Sequence, residues 1–553
     1  MLTSMFIASV VLATTPAPSR NVATLPPAPP PPPIQLPMEH RAHGWVERLQ
    51  VRVPGGPLFA SSKPYTRGDV VQFILWLEEQ MAKGRLALGP GEEHDLAALR
   101  RELARELQVA GDPRETELER EALVLRDGED DLVVDLYVTQ TVQGTNEDTE
   151  EVIEVPTSNT TVGGRLRGAL GGRLGFAADI RNTRLQGTAS QVNFIPRQGV
   201  PATEAGSRGE FRAAADGYLS ISTFIADGIF GKTGIDWGPA RGSALLLGSS
   251  AYPFDQIQLF RNFGPLRFTA LHGWLRGDEE PRYIAAHRLE ARVHPRLVLG
   301  GAEAVVYSQG HTNTPDAGRG PQLEYLIPLF PLHVAEHYLG DFDNNMISFD
   351  FQWTPRNGVA VYGELLIDDF NTSRSWDHYG NKLAGVAGLH LVDPWGPAGV
   401  DVGLEYTWLD PWVYTHRVPG NSYTHFDRSL GHWLPPNSNH ARAEVGWRAT
   451  GPLTLHASVE RVRTSIAHTA GSYGGYFVPD TNRPDPTDRN SPKHYMKGTI
   501  ESTRRWAVAA EWEPSHEWFL RAEFSASDIE NLAHVPENHF SFLTSSLQMR
   551  IEY

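Results

Sequence analysis

A chain of 553 residues with no cysteine and a net charge of -17 excludes a disulfide scaffold and Cys-ligated zinc. For want of excess cation it also argues against a nucleic-acid partner. No run of about 18 apolar residues occurs, which speaks against a helical membrane span but not against a membrane β-barrel, whose strands meet lipid only at alternate residues.

Residues 5–13 (MFIASVVLA) read as the apolar core of a signal peptide over residues 1–20, although no Lys or Arg precedes them. Residues 21–40 hold a polyproline tract, a stiff linker. Residues 41–130 are expected to form a periplasmic helical region. Thr66 can cap a helix with Asp69 three residues on, and Val70, Phe73, Ile74, Leu77 and Met81 then lie on one stripe. After Gly89-Pro-Gly91, a second stripe carries Leu96, Leu99, Leu103 and Leu107. The two stripes pack as a helical hairpin, either a docking or plugging element or a simple cap. Residues 112–131 are charged and loop-like.

From residue 132 the pattern is strands. Residues 132–142 open the series, and 161–170 pair with 173–185 across Gly171-Gly172. Residues 217–226, 245–247 and 257–260 are shorter candidates. Residues 265–275 and 282–293 follow, and His294-Pro-Arg296 turns the chain into 297–308. The plainest stretch is 341–370. Ile347, Phe349, Phe351 and Trp353 share one face, opposite Ser348, Asp350 and Gln352. Thr354-Pro-Arg-Asn-Gly358 turns the chain. Val359, Val361, Leu365 and Ile367 then oppose Tyr362, Glu364 and Asp368, the period-two signature of a hairpin with one oily and one ionic face. The same split recurs at 400–408, 442–448, 453–460, 505–512 and 518–524.

Connections alternate in length. Residues 354–358, 393–399, 450–452 and 513–516 are short; 371–380, 410–440, 466–497 and 528–539 are long. That rhythm belongs to outer-membrane barrels, whose long loops face outward. The last strand puts Leu543, Leu547, Met549, Ile551 and the terminal Tyr553 on one face. With both ends on the short-turn side, the strand number must be even. The expected fold is an antiparallel transmembrane β-barrel of about 18 strands over residues 131–553, with a small N-terminal helical subdomain.

Arg282, His287, Arg288, Glu290, Glu303, His337, Glu364 and Asp368 are expected to form a paired charge network in the lumen, since enclosed ions must be paired or solvated. The loop at 410–440 supplies flat aromatic rings and polar groups of the kind that hold sugars: Trp412, Tyr414, His416, Tyr423, His425, His432, Trp433 and Asn437. With Asp343, Asn344 and Asp369 it is a candidate outward glycan surface. The alternative is a loop that plugs the pore with its aromatics packed. His416, His425, His432 and His440 lack metal-ligand spacing, so no metal is expected. No Gly-x-Ser-x-Gly or His-Glu-x-x-His motif occurs, and neither catalysis nor a cofactor is expected.

Several stretches in order resemble the Wzi-like capsule assembly family: Asp236-Trp-Gly-Pro239 with Arg241; residues 282–290 (RYIAAHRLE); residues 303–307 (EAVVY); Glu336-His-Tyr338; Asp343-Asn344; Tyr362-Gly-Glu364 with Asp368-Asp-Phe370; Glu405-Tyr406; Tyr414-Thr-His416; and Gly431-His432 with Pro436-Asn437. The resemblance implies an outer-membrane barrel with a lectin-like role, holding exported capsular polysaccharide at the cell surface. Surface polysaccharide, outer-membrane lipid and the polysaccharide export machinery are the partners expected. A diffusion porin is the alternative, and it requires an open lumen.

Overall fold

The computed structural model describes residues 31–112, 121–147, 157–187, 210–277, 281–308, 320–340, 343–396, 399–416, 419–426, 428–465, 492–515 and 517–553. The expected signal peptide and the first ten residues of the linker lie outside the described residues.

Eighteen antiparallel strands close into one barrel. They are β1 (Asp130–Glu147), β2 (Thr157–Leu170), β3 (Leu174–Gln186), β4 (Glu210–Ser222), β5 (Asp227–Thr233) and β6 (Phe254–Phe263). Next come β7 (Leu266–Leu275), β8 (Arg282–His294), β9 (Leu297–Ser308), β10 (Asn344–Arg356), β11 (Val359–Asp369) and β12 (Lys382–Val392). The last six are β13 (Val400–Leu409), β14 (Ser438–Arg448), β15 (Leu453–Ser465), β16 (Ile500–Ser515), β17 (Trp518–Glu530) and β18 (His539–Glu552). Closure is between β18 and β1, with Leu547 opposite Val142. No edge is left unpaired, as a bilayer requires. Residues Leu123–Asp127 add a short hairpin arm to the start of β1, a strand the charged composition of 112–131 conceals.

Alternation sets the two faces. Phe349, Phe351 and Trp353 are exposed on the outer wall, while Ser348 and Asp350 on the same strand are buried inside. Trp353, Trp447, Trp512, Trp518 and Tyr553 are exposed near the short-turn end, the placement of an interfacial girdle.

Among the described residues, four helices precede the barrel: α1 (Ala42–Arg52), α2 (Arg67–Ala82), α3 (Pro90–Glu102) and α4 (Ala104–Val109). Thr66 Oγ1 accepts from the Asp69 amide at 3.0 Å, the expected cap. Val70, Phe73, Ile74 and Leu77 of α2 bury against Leu96, Leu99, Leu103 and Leu107, and against Val46 and Leu49 of α1. Each such side chain contributes about 1.5–3 kcal/mol. This region is docked on the short turns. Gly358 N–H donates to the Val51 carbonyl at 2.9 Å, and Arg448 donates to the Gly91 carbonyl at 2.7 Å. Arg48 on α1 binds Asp401 and Asp393 of the barrel, the latter at 3.0 Å, and Asp95 of α3 at 3.3 Å.

The lumen between β6 and β13 is filled. Residues 234–253, between β5 and β6, turn inward instead of outward, and Asp236–Trp237 pairs with Ser62–Lys63 from the helical region. Two wall carboxylates hold the inward loop by its backbone. Glu364 accepts from Ala240 at 3.0 Å and Leu245 at 2.8 Å; Glu405 accepts from Arg241 at 2.8 Å and Gly242 at 3.0 Å. A Cβ at Gly238 would fall 2.0 Å from Glu364 Oε1, so only glycine permits this approach. Leu245, Leu246 and Leu247 are therefore not a strand. They lie in an apolar core inside the barrel with Trp237, Met346, Leu366 and Leu409.

Candidate functional site

The described part of the connection from β9 to β10 carries two helices, α5 (Leu323–Leu326) and α6 (Leu332–Leu339). They pack on the outer wall, where Tyr325, Leu332 and Ala335 bury against Tyr283, Ala285, Val305 and Tyr307. Beneath them, His287 pairs with Glu303 at 3.1 Å, and Glu303 accepts from the amide of His333 on α6 at 3.4 Å.

This corrects the lumen network. Arg282, Arg288, Glu290, Glu364 and Asp368 face inward. Arg288 forks onto Asp350 at 2.7 and 3.1 Å, and Glu290 accepts from Ser61 and Ser62, each at 2.8 Å. His287 and Glu303 share the register of Tyr283 and Tyr307 on the outer face, and His337 sits exposed on α6. A carboxylate on the outer wall persists here because α6 covers it and supplies its partner.

The loop of residues 410–440 closes over the inward loop. Tyr414 and Tyr423 stack at 5.6 Å, and Tyr423 donates to the Leu246 carbonyl at 2.8 Å. Trp412, Tyr414, Tyr423, His425, His432 and Asn437 are all buried. Trp433 is half-buried and packs against His432. Burial and the neighbouring cations Lys232, Arg282 and Arg276 lower the pKa of His425 to about 3, so its ring stays neutral. Trp412 and Tyr414 adopt left-handed backbone, with φ of 65° and 70°. Such conformations cost about 1–3 kcal/mol each and persist only where the surroundings fix them. Here the Tyr414 amide is held by Asp368 at 2.6 Å. These rings are thus packed within the fold rather than presented at the surface.

Four of the expected binding residues come together elsewhere. At the loop end of β10–β12, on the outer side of the wall, a pocket of about 510 Å³ is lined by Asp343, Asn344, Asp369 and His416, with His333, Glu336, Phe370 and Lys382. Asp343 accepts from Tyr325 at 2.8 Å, and Lys382 bridges Asp368 at 2.6 Å and Asp369 at 2.7 Å. Phe370 and Ile367 also line an adjoining pocket with Trp376, Trp408 and Tyr495. The ring of Trp376 is 69 % exposed and meets Phe370 edge-on at 5.5 Å. Sequence reasoning missed Trp376, Phe370 and Lys382 as site residues; the signal available was an exposed-type Trp in a long outward loop.

The sequence matches the family model of capsule assembly protein Wzi over residues 156–541. Among solved structures the chain is similar to Escherichia coli Wzi, an outer membrane protein involved in group 1 capsule assembly and described as a carbohydrate-binding β-barrel. Identity is 12 % and TM-score 0.57, covering 94 % of this chain and 99 % of that one. At that identity the likeness is one of fold. Pseudomonas aeruginosa OpdK with vanillate (10 %, TM-score 0.43) and OprD (11 %, TM-score 0.41) each match 76 % of this chain, and 99 % and 94 % of their own. No curated protein matches the sequence. With the family model spanning well over half its length, the chain belongs to the Wzi capsule assembly family.

Proposed function

We propose that this outer-membrane barrel binds capsular or exported polysaccharide and retains it at the cell surface, with the loop-end rim as the binding surface. The observation that carries the reading is the rim itself. Exposed Trp376 and half-open Phe370 offer faces for sugar C–H groups. Asp343, Asn344, Asp369, Lys382 and His416 offer hydroxyl partners beside them. Two adjoining pockets sharing Phe370 suit an extended polymer better than a single small sugar. The buried aromatics of 410–440 act as the scaffold that shapes this rim. The role is one of binding rather than catalysis. The helical region faces the periplasm and is the surface offered to export machinery.

The test is binding of the purified full-length protein, in detergent, to polysaccharide from the same cells. Replacing Trp376, Phe370 and Asp369 together by Ala is expected to weaken binding at least tenfold. Trp395→Ala, an exposed Trp at the opposite end, is expected to leave it unchanged. Equal binding by the triple variant and the wild type would overturn the reading.

A further inference from the structure

Helix α6 carries a donor set that sugar binding does not require. His333, Glu336 and His337 stand at i, i+3 and i+4, so all three project from one side of two helical turns. One donor atom from each lies within 4.8 Å of the others, and the two imidazole rings are 4.6 Å apart. The histidines sought from sequence spacing, at 416–440, form no such group among the described residues.

The helix that presents the set is held on three sides. Glu303 accepts from the His333 amide at 3.4 Å. Leu332 and Ala335 are sealed against Tyr283, Val305 and Tyr307. Gly340, at φ 108°, ends the helix with its N–H on the Glu336 carbonyl. Little backbone ordering is left to do when a ligand binds. Two imidazoles and one carboxylate are donors for a borderline divalent metal. Magnesium and calcium prefer an all-oxygen shell. The local field favours a cation too, since Asp343, Asp368 and Asp369 stand around the same pocket against Lys382.

We propose that His333, Glu336 and His337 bind a zinc-class divalent cation, with a coordination position left open to the rim pocket. His333 and Glu336 line that pocket directly. Where the pocket holds an anionic sugar, which rests on the polysaccharide reading above, the open position takes a carboxylate or hydroxyl oxygen of that sugar. The site itself does not depend on that reading. A second group, Asp528, Glu530 and His539, is the poorer one. It has a single imidazole against two.

The experiment is calorimetric titration of Zn²⁺ into chelator-stripped full-length protein in detergent, with no glycan present. One site per chain is expected. His333→Ala with His337→Ala should weaken it at least tenfold, and Glu336→Gln several-fold, while His539→Ala leaves it unchanged. Both histidines are exposed, so the fold tolerates their loss; His337→Gln provides a second, milder variant with the same expected direction. Loading with Co²⁺ should give visible absorption bands in the wild type that are lost in the double histidine variant. Undiminished Zn²⁺ affinity in that variant, or no Zn²⁺ uptake by the wild type, would overturn the proposal. Because no sugar is present, failure here leaves the polysaccharide reading standing, and loss of glycan binding elsewhere leaves this site standing.

Discussion

The lumen between β6 and β13 and the lumen along β14–β18 and β1–β4 lie within one wall but are occupied in opposite ways. On the first side, backbone fills the space. The inward loop hangs from Glu364 and Glu405, and an apolar core closes above it. On the second side, wall charges neutralise one another across neighbouring strands. Arg505 bridges Glu460 at 3.2 Å and Glu523 at 2.6 Å; Arg181 reaches Asp216 at 2.9 Å, and Arg165 reaches Asp179 at 3.0 Å. A barrel interior therefore has two ways to satisfy its polar wall. Wall carboxylates can take up the N–H groups of an inserted loop, or they can pair with wall arginines. In the first arrangement the carboxylates carry the inserted loop and become indispensable to it.

That contrast is open to attack by mutation. The largest effect is expected from Glu364→Ala with Glu405→Ala, which orphans four loop amides at about 1–3 kcal/mol each. The inward loop should come free, with a several-fold rise in single-channel conductance in planar bilayers and new tryptic cleavage after Arg241. Next is Arg48→Ala, which takes the cation from buried Asp393 while Asp95 keeps Arg448 at 2.6 Å; a loss of about 3 kcal/mol in docking of the helical region is expected, read by limited proteolysis. A smaller effect comes from pH. Burial beside Lys63 lowers the pKa of His43 in α1 from 6.5 to about 3. Between those values the unfolded state binds the proton and the folded state does not. Stability is thus fully present above pH 6.5 and falls by about 1.4 kcal/mol per pH unit below it. Hydrogen exchange of α1 and α2 should rise on acidification, and His43→Asn should flatten that slope. The smallest effect is expected on the second side. Arg505 and Arg521 have side chains 37 % and 35 % exposed, so Arg505→Gln or Arg521→Gln should cost under about 1 kcal/mol and leave the thermal midpoint nearly unmoved. A large loss there would erase the distinction between the two sides.

Much of the wall was legible because lipid and water impose a period of two. The faces of Phe349, Phe351 and Trp353, and of Val361 and Leu365, follow from counting alone. Strand β5 was not, because Gly231, at φ 142°, breaks the alternation within seven residues. Leu245–Leu247 misled, since an apolar triplet in a plug reads like a short buried strand. The outward direction of His287 was present in the sequence, two residues from Leu289 and four from Tyr283. An imidazole on the lipid-side register runs against the rule that ionic groups face the lumen. What no counting could supply was α6, lying on the outer wall and giving Glu303 its partner. The loop at 410–440 illustrates the same limit: whether Trp412 and Tyr423 meet sugar or core depends on a segment 170 residues earlier turning inward. Helix α1 buries Trp45, Val46 and Leu49, which stand at helical spacing in the sequence.

The central claim is that the outward rim holds polysaccharide on a barrel whose lumen between β6 and β13 is filled. The most direct measurement is the partition of polysaccharide between cells and medium, in cells lacking this gene and supplied with either the wild-type chain or the Trp376, Phe370 and Asp369 triple alanine variant at equal surface level. The account predicts that the wild type restores cell-bound polysaccharide while the variant leaves most of it shed. Equal retention by the two chains would contradict it.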